Sequence, residues 1–165
     1  GGAYELIYYL SRQFKPETYL ETGVGAGFIT HSILTAIQKN NLGNLYSSDF
    51  PYYKVKNAES YIGILLDIEQ KKNFNIYIQG DRFNLPKIIK KISHIDLIHY
   101  DSDKSYTEKQ WFFNYIKPYI SSRSIIVIDD IQDDRFFLDY VKANNIEKFE
   151  IFQCDNKFVG VINNH

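Results

Sequence analysis

The sequence predicts an α/β fold: a doubly wound sheet of seven strands, five of them parallel, ending in an antiparallel terminal hairpin. Three observations carry this. Strand-like and helix-like segments alternate along the whole chain, which is the pattern of βαβ units. The first strand runs into Gly23, Gly25 and Gly27 at alternate positions and then into a helix, so bare backbone N–H groups gather at a helix N-terminus. Each parallel strand also ends in an acid (Glu21, Asp49, Asp81, Asp101 and Asp129-Asp130), at the edge where open α/β sheets bind ligands.

An opening helix over about 3–14 places Tyr4, Ile7, Tyr8 and Leu10 near one face and stops before Lys15-Pro16. The first strand is Thr18–Thr22. Its helix carries Ile29, Ile33, Leu34 and Ile37 at helical spacing and ends near Asn40–Gly43. A second strand, Asn44–Ser48, leads to a helix around 57–71 with Ile62, Leu65 and Leu66 inward. The third strand is Asn75–Gln79, and Asn84-Leu85-Pro86 reads as the capped start of another helix. After the fourth strand, Ile95–Tyr100, Ser105 and Glu108 form a capping box for a helix burying Trp111, Phe112, Tyr115 and Ile116. The fifth strand is Ser124–Ile128. A short helix follows with Phe136, Phe137, Tyr140 and Val141 on one face, then a hairpin of Glu150–Cys154 and Lys157–Ile162 around Asp155-Asn156.

Length and composition set the bounds. At 165 residues the chain is one domain, 1–165, with the N-terminal helix in 1–16 and a core over 17–165. No apolar run is long enough to span a bilayer and no signal-peptide layout opens the chain, so the expected compartment is the cytoplasm, without membrane association. The single cysteine, Cys154, excludes an internal disulfide and reads as inert packing. A net charge of −1 with scattered Lys and Arg lacks the footprint of a nucleic-acid binder. The chain has no methionine, which suggests a processed piece or a fragment of a longer chain, with Gly1-Gly2 a remnant of cloning.

The spacing Glu21-x-Gly23-x-Gly25-x-Gly27 differs from the Gly-x-Gly-x-x-Gly of dinucleotide binders, which disfavours a nicotinamide-dependent oxidoreductase. Asp49, at the tip of the second strand, can accept hydrogen bonds from both ribose hydroxyls of a cofactor; a turn before Pro51 is the plainer alternative. Asp81 would sit near the adenine edge, or form an Asx-turn ahead of the next helix. Asp101, Asp129 and Asp130 end two adjacent parallel strands and would meet at one spot. Three carboxylates so placed repel unless protonated or bridged by a cation, and oxygen-only ligands suit a hard ion such as Mg²⁺ or Mn²⁺. The competing reading has Asp130, Asp133 or Asp134 capping a helix and Asp101 a turn. Lys104, three residues past Asp101, is a general-base candidate whose pKa a nearby metal would lower, or else a lysine paired with Asp101 or Asp103. His94 reads as loop and His99 as strand, both core or surface residues; Tyr52 and Tyr53 could line the mouth of a cofactor or substrate site.

With these motifs in place, the chain resembles the class I S-adenosylmethionine-dependent methyltransferases, whose sheet is Rossmann-like, over almost its whole length. Asp101-Ser102-Asp103-Lys104-Ser105-Tyr106 and Asp129-Asp130 are similar to a bacterial group with Asp-x-x-His-Ser/Thr-Tyr and Asp-Asp strand ends. More distantly the layout resembles the metal-dependent catechol and caffeoyl-CoA O-methyltransferases. The resemblance implies methionine contacts from Glu21, Gly23, Gly25 and Gly27, ribose contact from Asp49 and adenine contact from Asp81. It also implies metal ligation by Asp101, Asp129 and Asp130, with Lys104 as base and Asp101 taking part in catalysis. Two departures are visible: Lys104 replaces the bacterial group's histidine, and Asp130 stands where the catechol enzymes carry Asn. The implied activity is O-methylation of a small molecule or a sugar hydroxyl by S-adenosylmethionine. With room for only one short N-terminal helix, either the piece has lost its lid or the pocket is open and accepts a larger acceptor such as a glycan or carrier-bound molecule. A homodimer and a non-catalytic binding domain within a longer protein are the further expectations.

Overall fold

A computed structural model describes residues 3–163; Gly1 and Gly2 lie outside the described residues. The elements run α1 (Tyr4–Phe14), β1 (Thr18–Thr22), α2 (Phe28–Asn40), β2 (Asn44–Ser48), β3 (Phe74–Tyr77), α3 (Asp81–Ile89), β4 (Ile95–Tyr100), α4 (Tyr106–Ile116), β5 (Ile120–Ile128), α5 (Phe136–Ala143), β6 (Phe149–Cys154) and β7 (Lys157–Asn163). One sheet holds all seven strands in the order β3-β2-β1-β4-β5-β7-β6. The first five pair in parallel, and β7 runs antiparallel to both β5 and β6. The doubly wound sheet with an antiparallel end is therefore as expected, and the strand order reverses between β1 and β4.

Period-two alternation divides the core between the two faces. Leu20, Ile98, Ile126 and Ile128 face α3, α4 and α5, where Phe112, Phe113, Phe136 and Phe137 fill the space. Tyr19, Leu97, Ile125 and Val127 face α1 and α2, against Ile7, Leu10, Ile33 and Ile37. Gly160 on β7 packs directly against Phe137 on the first face. A Cβ there would lie 2.4 Å from the Phe137 ring, so no larger residue leaves room for it. Lys109 is buried and pairs with Asp134 at 3.1 Å, tying α4 to the loop before α5.

Several local expectations need correction. No α-helix forms over 57–71; the segment is a run of turns with 3₁₀ pieces at Ala58–Tyr61 and Gln70–Asn73. Asn57 and Gly63 adopt left-handed conformations (φ 56° and 66°), which interrupt a helix. The N–H groups of Gly63 and Leu65 instead donate to the carbonyls of Gly25 and Ala26, at 2.9 and 3.1 Å. Leu66 is buried as expected, but Leu65 is exposed.

Helix α3 begins at Asp81, earlier than Asn84, and contains Pro86. Asn84 is a buried staple: its Oδ1 accepts the Gln79 N–H and its Nδ2 donates to Ser48 Oγ and the Tyr77 carbonyl. The capping box at α4 is half made. Ser105 Oγ accepts the Glu108 N–H, while the Ser105 N–H goes to Asp103 at 2.8 Å and Glu108 turns to Arg82. Tyr4 and Tyr115 are exposed. Trp111 is half-buried, stacked on Tyr115 with the Arg82 guanidinium 4.5 Å from its ring. The fifth strand starts earlier than expected, at Ile120, and the third ends earlier, at Tyr77.

Candidate active site

A cleft of about 690 Å³ opens above the carboxyl ends of β1, β2 and β4, at the strand-order reversal. Gly23, Gly25, Asp49, Asp81 and Asp101 line it. Glu21, Gly27, Lys104, Asp129 and Asp130 lie outside that lining.

The floor is the glycine loop. Gly23 donates its N–H to the Ser48 carbonyl at 3.0 Å, and Gly27 closes a turn on the Val24 carbonyl before α2 begins. A Cβ on Gly25 would meet only the Tyr52 hydroxyl, 3.3 Å away, so residue 25 presents bare backbone to the cleft. Asp49 holds this loop: one oxygen accepts the Gly25 N–H at 2.8 Å and the other accepts the Phe50 N–H. Burial raises its pKa above the usual carboxylate range, against the pull of these N–H groups. Asp81 stands in the first turn of α3 and accepts hydroxyl hydrogen bonds from Ser48 and Ser102. Its pKa is raised, chiefly by burial. The mouth is aromatic, with Phe50, Tyr52 and Phe83 exposed around it.

Glu21 lies beneath the cleft, fully buried under α2. Both Thr30 and Ser47 donate to it, Ser47 at 2.6 Å. Burial pushes its carboxyl up to about 7, partly offset by the two hydroxyls. The folded state therefore binds an extra proton across the window from 4.5 to about 7, and stability falls as pH rises through it. Glu21→Gln should raise stability at about pH 8 by roughly 1–3 kcal/mol, with little change at about pH 4. Urea denaturation at both pH values checks this; equal changes at the two would remove the linkage.

The acidic cluster is split. The β4 and β5 ladders continue past their ends, with Asp101 N–H on the Thr22 carbonyl and Asp129 N–H on the Tyr100 carbonyl, so Asp101 and Asp129 stand side by side. Asp129 is fully buried and its pKa is pushed up to about 6, by burial first and then by Asp101 and Asp130. Asp130 has φ 53°, which turns it out of the ladder toward Lys157 (2.8 Å) and Lys104 (2.9 Å). Burial would raise its pKa, but the two ammonium groups prevail and hold it at about 2. Lys104 also binds Asp101. Burial opposes its charge, yet Asp101 and Asp130 together raise its pKa above the ordinary lysine value. The lowered value expected beside a metal is thus not what the protein's own groups produce.

Sequence reasoning undervalued His99 and passed over Lys157. His99 is buried two residues before Asp101, and one of its ring nitrogens falls within 4.8 Å of oxygens of Asp101 and Asp129. The spacing of two within a strand was the available signal. Lys157 comes from the hairpin, and only the pairing of β7 with β5 brings it near Asp130. His94 is an exposed loop residue 3.5 Å from Asp96. Among the described residues no helix is long and apolar enough to cross a membrane.

Known proteins share this fold. The chain superposes on the O-methyltransferase TomG from Streptomyces achromogenes, involved in tomaymycin synthesis and solved with S-adenosylmethionine, at a TM-score of 0.74 and 14% identity, covering 98% of this chain and 79% of that one. A TDP-rhamnose 3′-O-methyltransferase of calicheamicin biosynthesis gives 0.72 at 16%, covering 97% and 78%. The O-methyltransferase from Bacillus cereus, solved with S-adenosylhomocysteine, gives 0.68 at 14%, covering 97% and 80%. At such identities the likeness is one of fold. No curated protein matches the sequence. The profile of a methyltransferase domain family, however, matches residues 20–131, from β1 through the end of β5. With well over half its length inside that match, the chain belongs to the methyltransferase domain family.

Proposed function

We propose that this chain transfers a methyl group from S-adenosylmethionine to an oxygen of a small molecule or a sugar, with a divalent ion assisting. The observation that carries this is the cleft itself. Bare glycine backbone at Gly25, the loop-holding Asp49 and the acidic Asp101 all line one cavity at the strand-order reversal. The residues suit the cofactor: Gly25 leaves room for close approach, the α2 N-terminus favours a carboxylate, and Asp49, besides accepting the Gly25 and Phe50 N–H groups, keeps lone pairs for ribose hydroxyls. Asp81 and the exposed rings of Phe50 and Phe83 suit the adenine side. When bound, the cofactor supplies the methyl carbon: the acceptor oxygen bonds to it, the carbon–sulfur bond breaks, and the electron pair stays on sulfur.

The chain's own residues do the rest. Lys104, once deprotonated, takes the acceptor's hydroxyl proton, and Asp101, which lines the cleft, holds Lys104 just beyond it. Asp101 and Asp129, with Asp130 behind them, are the groups that would hold a divalent ion, which supplies charge to orient acceptor oxygens and lower a hydroxyl pKa. The two oxygens of Asp129, buried and without a hydrogen-bond partner among the described residues, fit that demand. An open mouth rimmed by exposed aromatic rings suits a planar or glycosidic acceptor, since rings offer flat apolar contact.

Calorimetric titration of the folded chain with S-adenosylhomocysteine tests the cofactor assignment. Saturable binding in the micromolar range, about −8 kcal/mol, is expected. No heat from protein that circular dichroism shows to be folded would overturn it. Binding without turnover of any hydroxyl acceptor would instead favour a non-catalytic domain.

A further inference from the structure

His99 and Asp129 are fully buried, and none of their four polar side-chain atoms has a hydrogen-bond partner among the described residues. Buried polar atoms are almost always satisfied, and a pair left unmet on adjacent strands calls for a ligand. The backbone aims both at one point. His99 and Asp101 share a face of β4, two residues apart, and His99 pairs in register with Val127, two residues before Asp129. One atom from each of His99, Asp101 and Asp129 falls in a trio no more than 4.8 Å across. Two donors bound to a common ion at about 2.0–2.2 Å stand up to about 4.4 Å apart. Little closure is needed. Asp101 meets one ammonium, Lys104, through a single oxygen, whereas Asp130 is turned away by its left-handed backbone and has both oxygens engaged, by Lys157 and Lys104.

We propose that a divalent ion in this protein is held by His99, Asp101 and Asp129, with Asp130 outside the coordination sphere, and that the imidazole makes the centre prefer Mn²⁺, Fe²⁺ or Co²⁺ over Mg²⁺. Mg²⁺ favours oxygen ligands and retains its waters, whereas first-row transition ions accept an imidazole readily. This rests on the metal-assisted reading of the site and changes one of its ligands. Asp130 then acts as the anchor for Lys104 and Lys157, leaving the base candidate on the rim of the centre. Its carboxylate lies outside both the cleft lining and the ion's shell.

The test uses the full chain without a histidine tag, loaded with Mn²⁺ and read by pulsed electron paramagnetic resonance. Nitrogen modulation from a coordinated imidazole is expected, absent in His99→Gln. By calorimetry, Mn²⁺ should bind at least about tenfold tighter than Mg²⁺, the gap narrowing in His99→Gln. Asp130→Asn should keep Mn²⁺ affinity within about threefold, since it removes only an outer charge. If His99→Gln fails to fold, ¹⁵N-histidine labelling of the unaltered protein must change the modulation pattern. Mn²⁺ bound without nitrogen modulation, or affinity lost in Asp130→Asn, would overturn the proposal. So would an absence of Mn²⁺ binding while S-adenosylhomocysteine still binds, an outcome that leaves the methyl-transfer reading standing.

Discussion

Lys104→Met is expected to lower kcat for methyl transfer by about 10²–10⁴-fold, the usual contribution of a positioned general base. The Lys104 ammonium sits between Asp101 and Asp130, half-buried, and these carboxylates outweigh burial and raise its pKa. As a base it must first lose its proton, so the rate should climb with pH through the neutral range. The substitution should abolish that climb while leaving the Kd for S-adenosylhomocysteine within about threefold, because Lys104 lies outside the cofactor cleft. Lys104→Arg decides between chemistry and scaffolding. Arginine keeps the positive charge beside both carboxylates but does not deprotonate, so it should be as slow as methionine. An arginine variant within about threefold of the parent rate would show that residue 104 serves only as an ion-pair partner.

The contrast between Lys104 and Lys157 shows how far a sequence can be read here. Lys104 is three residues from Asp101, so local spacing finds it. Lys157 reaches Asp130 only because β7 inserts between β5 and β6, a long-range pairing that no local pattern encodes. The same divide runs through the fold. Strands β1, β2 and β4 were legible to the residue because apolar runs are bounded by proline, glycine and acids. Segment 57–71 misled because its apolar residues occur at helical spacing, yet the Gly63 and Leu65 N–H groups go to the glycine loop and the neighbouring bonds close short local turns. Its exposed rings and aliphatics, among them Tyr61, Ile64 and Ile68, do not pack as a helix face would. At the site, strand ends were readable as acids, but their individual directions were not. A single left-handed residue, Asp130, separates one carboxylate from its neighbour.

Gly23→Ala is expected to weaken S-adenosylhomocysteine binding by about 100-fold and to destabilise the fold by roughly 2–5 kcal/mol. Two costs combine. Gly23 has φ 80°, a left-handed conformation that costs an L-residue about 1–2 kcal/mol. Its Cβ would also lie 2.3 Å from the carbonyl oxygen of Asp101 and 2.6 Å from the carbonyl carbon. Both neighbours are backbone, so no rotamer change relieves the contact, and overpacking of this kind costs about 1–3 kcal/mol. The only relief is to separate the end of β1 from the end of β4. That would strain the bonds from Gly23 N–H to Ser48 and from Asp101 N–H to Thr22, and move the cleft's floor away from its acidic wall. Gly25→Ala is the control. Its φ is 52° and its Cβ would meet only the movable Tyr52 hydroxyl, so stability should fall by about 1 kcal/mol. Urea denaturation and calorimetry on both variants separate the two effects. Equal stability losses would mean that the close approach of β1 and β4 at Gly23 does not hold the cleft together.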